Sequence, residues 1–423
     1  MKYILSIGMN DYRITLGGVN KVILAHQEMF QKNGYEYLYI YPVWKKHRKY
    51  EYWKIIRNNH YVSIKSTSNL IRYLYKFQKC SHICAEIHIH HLIKVFLPDL
   101  DKLLGQIKSS VKFYIHDYFT ICPSVKLLRN DTEFCGCEKM SLAKCEGCKY
   151  YSDGKTGNLR VRKLLQKYRK RITFIAPSDA AKKQWVKAFP EYGEKVQVIY
   201  HQIYDGTYDG NRQLIEKNGI IKIAYIGEPL SSKGWDMWNQ ILEKNADNRY
   251  KFYYLGNASA KLENVTKVNV DFRKNMDAMT TALRDNEIDC ILLWSILAET
   301  YSYTYYEGVS ANAFVITNNS SGNIAYQVKA HANGISFNNK EEVLDLFSNY
   351  NYFRNLINDF KSRKEKGPAR LIENPEILRH IGPALEKPIL PQPKQKISIN
   401  ELGVSTIFKA IDLLRQFKKE VLS

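Results

Sequence analysis

DCILLWSILAETYSYTYYEGVSANAFVITNNSSGN, residues 289–323, decides how this chain is read. Residues 289–295 form a short, almost wholly apolar run with the length of a buried parallel strand, and residues 313–319 form a second. One helix fits between them. Glu299 stands where the first run gives way to that helix, Thr300 and Ser302 read as its capping residues, and Glu307 completes a Glu-x7-Glu spacing of about two turns. One carboxylate thus belongs to the mouth of a strand and the other to the body of a helix. In an open α/β sheet that mouth, outside the carboxyl ends of the strands, is where ligands bind, and a helix N-terminus offers free N–H groups to a phosphate. The same pair also fits a Glu299 that complements the helix dipole and a Glu307 on a solvated face.

Outward from this stretch, strand and helix patterns alternate on both sides. Upstream lie the strand IKIAYIG at 221–227, a helix from Trp235, the strand YKFYYLG at 250–256 and a helix over 275–285. Downstream come a helical segment over 341–364, a proline-punctuated extended part and a last amphipathic helix over 404–421. The first half repeats the alternation. Strands are expected at 3–8, from Tyr35, and at 61–64, 83–90, 112–117, 172–178 and 196–201. Gly17-Gly18 follows the first strand and opens an amphipathic helix marked by Val22, Ile23, His26 and Phe30. Its spacing is not GxGxxG, which removes a dinucleotide fingerprint. These elements predict two Rossmann-like, doubly wound α/β domains facing across a cleft: residues 1–201, a polar linker at 202–218, a second domain at 219–375, and a terminal extended segment and helix at 376–423.

Composition narrows the class. With 45% hydrophobic and 25% charged residues the chain is globular, and its longest mainly apolar run, residues 290–298, is far short of a membrane span. No secretory signal is visible. The formal charge of +21 points to an anionic partner or surface. One basic cluster holds Lys45, Lys46, Arg48, Lys49, Lys54 and Arg57. A second holds Arg160, Arg162, Lys163, Lys167, Arg169, Lys170 and Arg171, alternating with Leu159, Val161, Leu164, Leu165 and Tyr168 as a basic amphipathic helix does. Anionic lipid, nucleic acid and plain solvation all suit such a face, but no nucleic-acid-binding module accompanies it. Five of the eight cysteines, Cys122, Cys135, Cys137, Cys145 and Cys148, fall in one loop; Cys135-x-Cys137 and Cys145-x2-Cys148 approximate a four-thiolate zinc site, with free thiols as the alternative. His88, His90 and His91 alternate with Ile87, Ile89 and Leu92 on what reads as a strand rim, poor geometry for a metal from one strand.

Two doubly wound halves, Gly17-Gly18 after the first strand, Gly227 followed by Lys233-Gly234, and the late Glu299-x7-Glu307 together resemble the GT-B glycosyltransferases, family four of the retaining kind, in the branch that builds bacterial surface polysaccharide. The resemblance spans nearly the whole chain. It implies a nucleotide-sugar donor held mainly by the second half and a lipid-linked or oligosaccharide acceptor held mainly by the first, on the inner face of the plasma membrane, without a catalytic metal and without nucleic acid. It implies that Gly17 and Gly18 line the donor diphosphate and Lys233 neutralises it, that Gly227, Thr300 and Tyr301 also bind the donor, that Glu299 binds the donor sugar's hydroxyls or stabilises its cationic transition state, and that Glu307 takes the ribose hydroxyls. His116, ending KFYIHD before Asp117, would reach the donor sugar from the first domain. Glu228 stands where the family often has Arg, a departure that puts the donor's binding mode in question. Two other classes remain open: a non-catalytic glycan-binding protein on the same frame, and a basic nucleic-acid-binding protein.

Overall fold

The structure, a computed structural model, describes all residues but 16, 47–48, 137–139, 209–212, 246, 259–262, 273–274, 276, 364–366, 383–384, 387, 391–398 and 423. Strands β1 (Lys2–Ile7), β2 (Tyr35–Lys46), β3 (Lys49–Arg57), β4 (His60–Ser66), β5 (Ile83–Ile89) and β6 (Ser110–Tyr114) are followed by a small hairpin, β7 (Leu128–Arg129) and β8 (Glu133–Phe134), then by β9 (Ile172–Ala176) and β10 (Val196–Val198). Apart from the hairpin they make one sheet in the order β10-β9-β6-β5-β1-β2-β3-β4. Pairing is parallel from β10 to β2; β3 then runs antiparallel to both β2 and β4. Every residue of β1 after Lys2 is buried, as a strand covered on both faces requires.

The second sheet contains β12 (Ile221–Ile226), β13 (Tyr250–Leu255), β14 (Val265–Val268), β15 (Cys290–Leu293), β16 (Phe314–Asn318) and β17 (Gly334–Phe337), all parallel, in the order β14-β13-β12-β15-β16-β17. Before it comes β11 (Gln202–Tyr208), which pairs antiparallel with β18 (Gly367–Glu373). Strand order reverses between β12 and β15 in this sheet and between β1 and β5 in the first. At such switch points adjacent loops leave in opposite directions and open a crevice. The two-domain doubly wound expectation therefore holds, and the opening stretch falls on β15, the helix Tyr303–Ser310 and β16.

Three local readings are corrected. Residues 202–208, read as linker, are a strand, because their hydrogen-bond partner lies far along the chain in β18. The basic segment from Lys49 to Arg57 is β3, and Lys54 is fully buried, its ammonium 3.3 Å from Asp11 and 3.1 Å from Asp412. Arg13 joins the same carboxylates, so this network fastens the helix Ile399–Leu422 to the first domain. Along the helix Tyr151–Lys167 the apolar residues Val161, Leu164 and Leu165 are buried, as is Tyr168 just beyond it. They pack in the first-domain core and are not available to insert into lipid; of the apolar set only Leu159 is exposed. Arg160, Lys163, Arg169 and Lys170 remain on the surface. No described helix is long and apolar enough to cross a membrane.

Candidate active site

Where the chain leaves β15 it turns through Trp294 and Ser295 to Glu299. Glu299 is locked in place by its backbone: it forms a parallel bridge with Gly322, and its carbonyl accepts from the Asn323 N–H at 2.8 Å. Gly322 has φ 64°, and a Cβ there would run into the Glu299 backbone, so the close approach requires glycine. The buried Glu299 carboxylate accepts from Ser295 Oγ at 3.0 Å and is paired with Lys233. Lys233 ends the 3-10 turn Ser231–Lys233, and Gly234 behind it has φ 93° with Trp294 pressed against its Cα. Thus the loop after β12 and the loop after β15 meet at the switch point, and their meeting residues are a lysine and a glutamate.

Glu307 points from the helix Tyr303–Ser310 and is 5% exposed. Lys21, from the first turn of the helix Gly18–Lys32 in the other domain, lies 3.8 Å from its Oε1, while Oε2 is buried with no hydrogen-bond partner. Burial pushes the Glu307 carboxyl up to about 7 against the pull of Lys21. A buried acceptor left open inside a cleft suits a ligand hydroxyl. Lys21 also sits over the rings of Phe272, at 3.7 Å, and Tyr303, at 5.0 Å.

Thr300 and Ser302 do not cap this helix. Ser302 occupies the cap position with φ 72° and makes no capping bond, its hydroxyl lying 3.1 Å from Thr304 Oγ1, and Thr300 is committed across the cleft. Its hydroxyl donates to the His116 carbonyl at 2.7 Å, and its own carbonyl accepts from Ser178 Oγ at 2.7 Å. Tyr301 is buried against Tyr306 and His201, and its hydroxyl oxygen accepts from the Gln202 N–H. Gly227, at the end of β12 with φ 102°, lies beside Thr304. Gly17 and Gly18 are exposed, and a Cβ at Gly17 would meet no protein atom within 4 Å. The space over that turn is open to a ligand. Glu228 is exposed.

The first domain presents His116 to this cleft. Its Nε2 lies 2.9 Å from His90 Nδ1, and the ring stacks on His90 and Tyr114. Burial, then neighbouring His201, holds His116 well below the usual imidazole range, so it is neutral at physiological pH. Asp117 instead pairs with His91 at 2.5 Å. His88, His90 and His91, read as rim residues, are all buried, because the helix Gly18–Lys32 and the loop after β5 cover them. Ser295, Gly322 and Lys21 belong to the site and escaped the sequence reading, while His90, read as a rim residue, backs His116 from behind. Lys21 alone carried a signal, as the one cation in the first turn after Gly17-Gly18.

In the cysteine loop Cys145 is buried, Cys148 half-buried and Cys135 exposed, and Cys137 lies outside the described residues. Among the described residues, these cysteines do not bring three sulfurs within 4.8 Å of one another.

Two doubly wound domains whose switch points face each other define the GT-B fold. Among solved structures the chain is similar to HepE of Anabaena in complex with UDP (11% identity over 85% of this chain and 94% of that one, TM-score 0.50). It is also similar to sucrose-phosphate synthase of Thermosynechococcus elongatus (10% identity, 86% and 92%, TM-score 0.53) and to a glycosyltransferase of Rickettsia africae (14% identity, 85% and 91%, TM-score 0.52). At these identities the likeness is one of fold. No family model and no curated protein matches the sequence.

Proposed function

We propose that this protein is a glycosyltransferase that moves a sugar with retention from a nucleotide-sugar donor to a glycan acceptor, lipid-linked, in surface-polysaccharide synthesis. The observation that carries the reading is the Lys233–Glu299 pair at the switch point of the second sheet, with neutral His116 on the facing wall. In the reaction the bond between the anomeric carbon and the diphosphate oxygen breaks, the acceptor hydroxyl oxygen bonds to that carbon, and the hydroxyl proton leaves to the diphosphate. Positive charge grows on the sugar and negative charge on the leaving group. Glu299 answers the first, and Lys233 with the glycine turns at Gly17, Gly18 and Gly227 answers the second. Glu307 Oε2 takes a ribose hydroxyl.

A screen of nucleotide sugars tests this. One of them is expected to raise the thermal midpoint and to be hydrolysed slowly by the wild type, and Glu299→Ala to abolish the hydrolysis while keeping the stabilisation. Stabilisation without turnover in the wild type would favour the non-catalytic glycan-binding alternative. For delivery of a lipid-linked acceptor we propose electrostatic contact of the exposed Arg160, Lys163 and Lys170 with an anionic inner leaflet, without apolar insertion. Reversing these three charges is expected to end co-sedimentation with anionic vesicles and to spare activity on a soluble acceptor. Unchanged sedimentation would place the contact elsewhere. A structural zinc on Cys135, Cys137, Cys145 and Cys148 remains part of the proposal, checked by metal analysis of Cys148→Ser against the wild type.

A further inference from the structure

Behind His116 lies a group of imidazoles that the transfer reaction does not use. His88 lies on β5 and His90 is the residue just past its end, two positions on, so both project to the same side of the sheet. The helix Gly18–Lys32 covers that face and adds His26. All three are buried, at 0%, 1% and 7% exposure respectively, and one nitrogen from each lies within 4.8 Å of the other two.

We propose that His26, His88 and His90 bind one borderline divalent cation, zinc foremost, with a water as fourth ligand. Two observations support it. First, His26 Nδ1 and His90 Nε2 are buried without any hydrogen-bond partner, a costly arrangement for two imidazoles unless something else occupies those nitrogens. Second, His88 has the outer support a metal-bound imidazole needs: its Nε2 is 3.0 Å from the Glu86 carboxylate, which leaves Nδ1 to face the site.

Tetrahedral zinc with nitrogens at its usual bond length sets them about 3.3 Å apart, so the three rings need to close inward by roughly 1 Å. The nearby Lys112 ammonium is 2.9 Å from Glu86, so that pair adds no net charge to the site before the ion enters. Tyr114 Oη lies 3.2 Å from His88 Nδ1 and is the group the ion displaces. Occupation would also fix the chemistry of the cleft. With His90 Nε2 on the ion, its Nδ1 must carry the proton and donate to His116 Nε2; His116 is then protonated on Nδ1 and offers that N–H outward.

The test uses the full chain, stripped with a chelator, reloaded with Zn²⁺ or Co²⁺ and passed over a sizing column. The wild type is expected to keep a Co²⁺ ion whose spectrum lacks thiolate charge-transfer bands, which separates this site from any ion on the cysteines. His26→Gln and His90→Gln are each expected to lose about one metal equivalent per chain while circular dichroism stays unchanged. If either variant fails to fold, the wild-type Co²⁺ spectrum decides alone. Only thiolate-ligated Co²⁺ in the wild type, no retained metal, or an unchanged metal count in a folded His26→Gln would each overturn the proposal.

Discussion

The two walls of the cleft handle charge in opposite ways. The second-domain wall carries carboxyl groups, each with a cation close by: Glu299 is tied to Lys233 and Ser295, and Glu307 faces Lys21. Apart from Lys21, which reaches across to Glu307, the first-domain wall carries His116, His90 and His201, all held neutral chiefly by burial. A wall of paired charges can exchange a protein partner for a ligand, which suits a donor whose charge separates during reaction. A wall of neutral donors and acceptors can orient a sugar without adding charge of its own. The two kinds of wall should therefore fail differently when mutated.

The largest expected effect falls on the charged wall. Glu299→Ala should lower turnover roughly a hundredfold or more, about 3 kcal/mol of transition-state stabilisation, with the thermal midpoint near the parent's. Steady-state kinetics check it, and parental turnover would remove Glu299 from the chemistry. The mutant also leaves Lys233 without its partner. Glu299→Gln keeps the shape and loses the charge, so it separates the two contributions.

Glu307 yields a pH prediction of comparable size in stability. Its folded value of about 7 lies above the ordinary 4.5, so between these values the folded state holds a proton that the unfolded state has released. Stability then falls as pH rises through that window, by about 3 kcal/mol from this group, and the penalty is absent below it. Glu373, also pushed up to about 7 by burial, adds a loss in the same window. Glu307→Gln should therefore flatten but not abolish the fall between pH 5 and 8 in urea titrations, and should weaken nucleotide binding. An unchanged slope would mean that Glu307 is already ionised in the folded protein.

On the neutral wall the expectation is smaller. His116→Asn should cost roughly tenfold in turnover, or about 1.4 kcal/mol. Because burial holds the wild-type imidazole neutral, its titration should leave no step in the rate between pH 6 and 8. A step near the ordinary histidine value that vanishes in the mutant would show that His116 works as a cation, and the contrast between the walls would fail.

How far the sequence carried the reading follows the same division. The parallel strands were legible because burial on both faces writes them as continuous apolar runs, as in residues 289–295. Glu299 and Glu307 were legible because both sit on one strand–helix–strand unit. What stayed hidden depends on partners distant in sequence. Strand β3 read as a basic cluster, since nothing local reveals that Lys54 is matched by Asp11 and Asp412. Residues 202–208 looked like linker until β18 arrived to pair with them. His88, His90 and His91 read as rim residues with poor metal geometry from one strand, since nothing local reveals that His26, on a helix about sixty residues upstream, packs against His88 and His90.

The smallest effect tests the seam between the walls. Thr300 Oγ1 donates to the His116 carbonyl at 2.7 Å while the Thr300 carbonyl accepts from Ser178, so one residue of the second domain is held by two of the first. Thr300→Val keeps the shape and the Ser178 bond but removes one hydrogen bond, worth about 1 kcal/mol. If the bond forms equally with and without donor, only stability should shift, by a few degrees at most, and kinetics should stay parental. If it forms on closure around the donor, KM for the donor should rise roughly fivefold with turnover nearly constant, because the lost energy belongs to assembling the site and not to the chemical step. The Glu299–Lys233 pair lies within one domain and predicts the reverse pattern, a loss in turnover. Should Thr300→Val lower turnover as strongly as Glu299→Ala, Thr300 would contact the reacting groups directly, and the division between a charged wall that reacts and a neutral wall that positions would not hold.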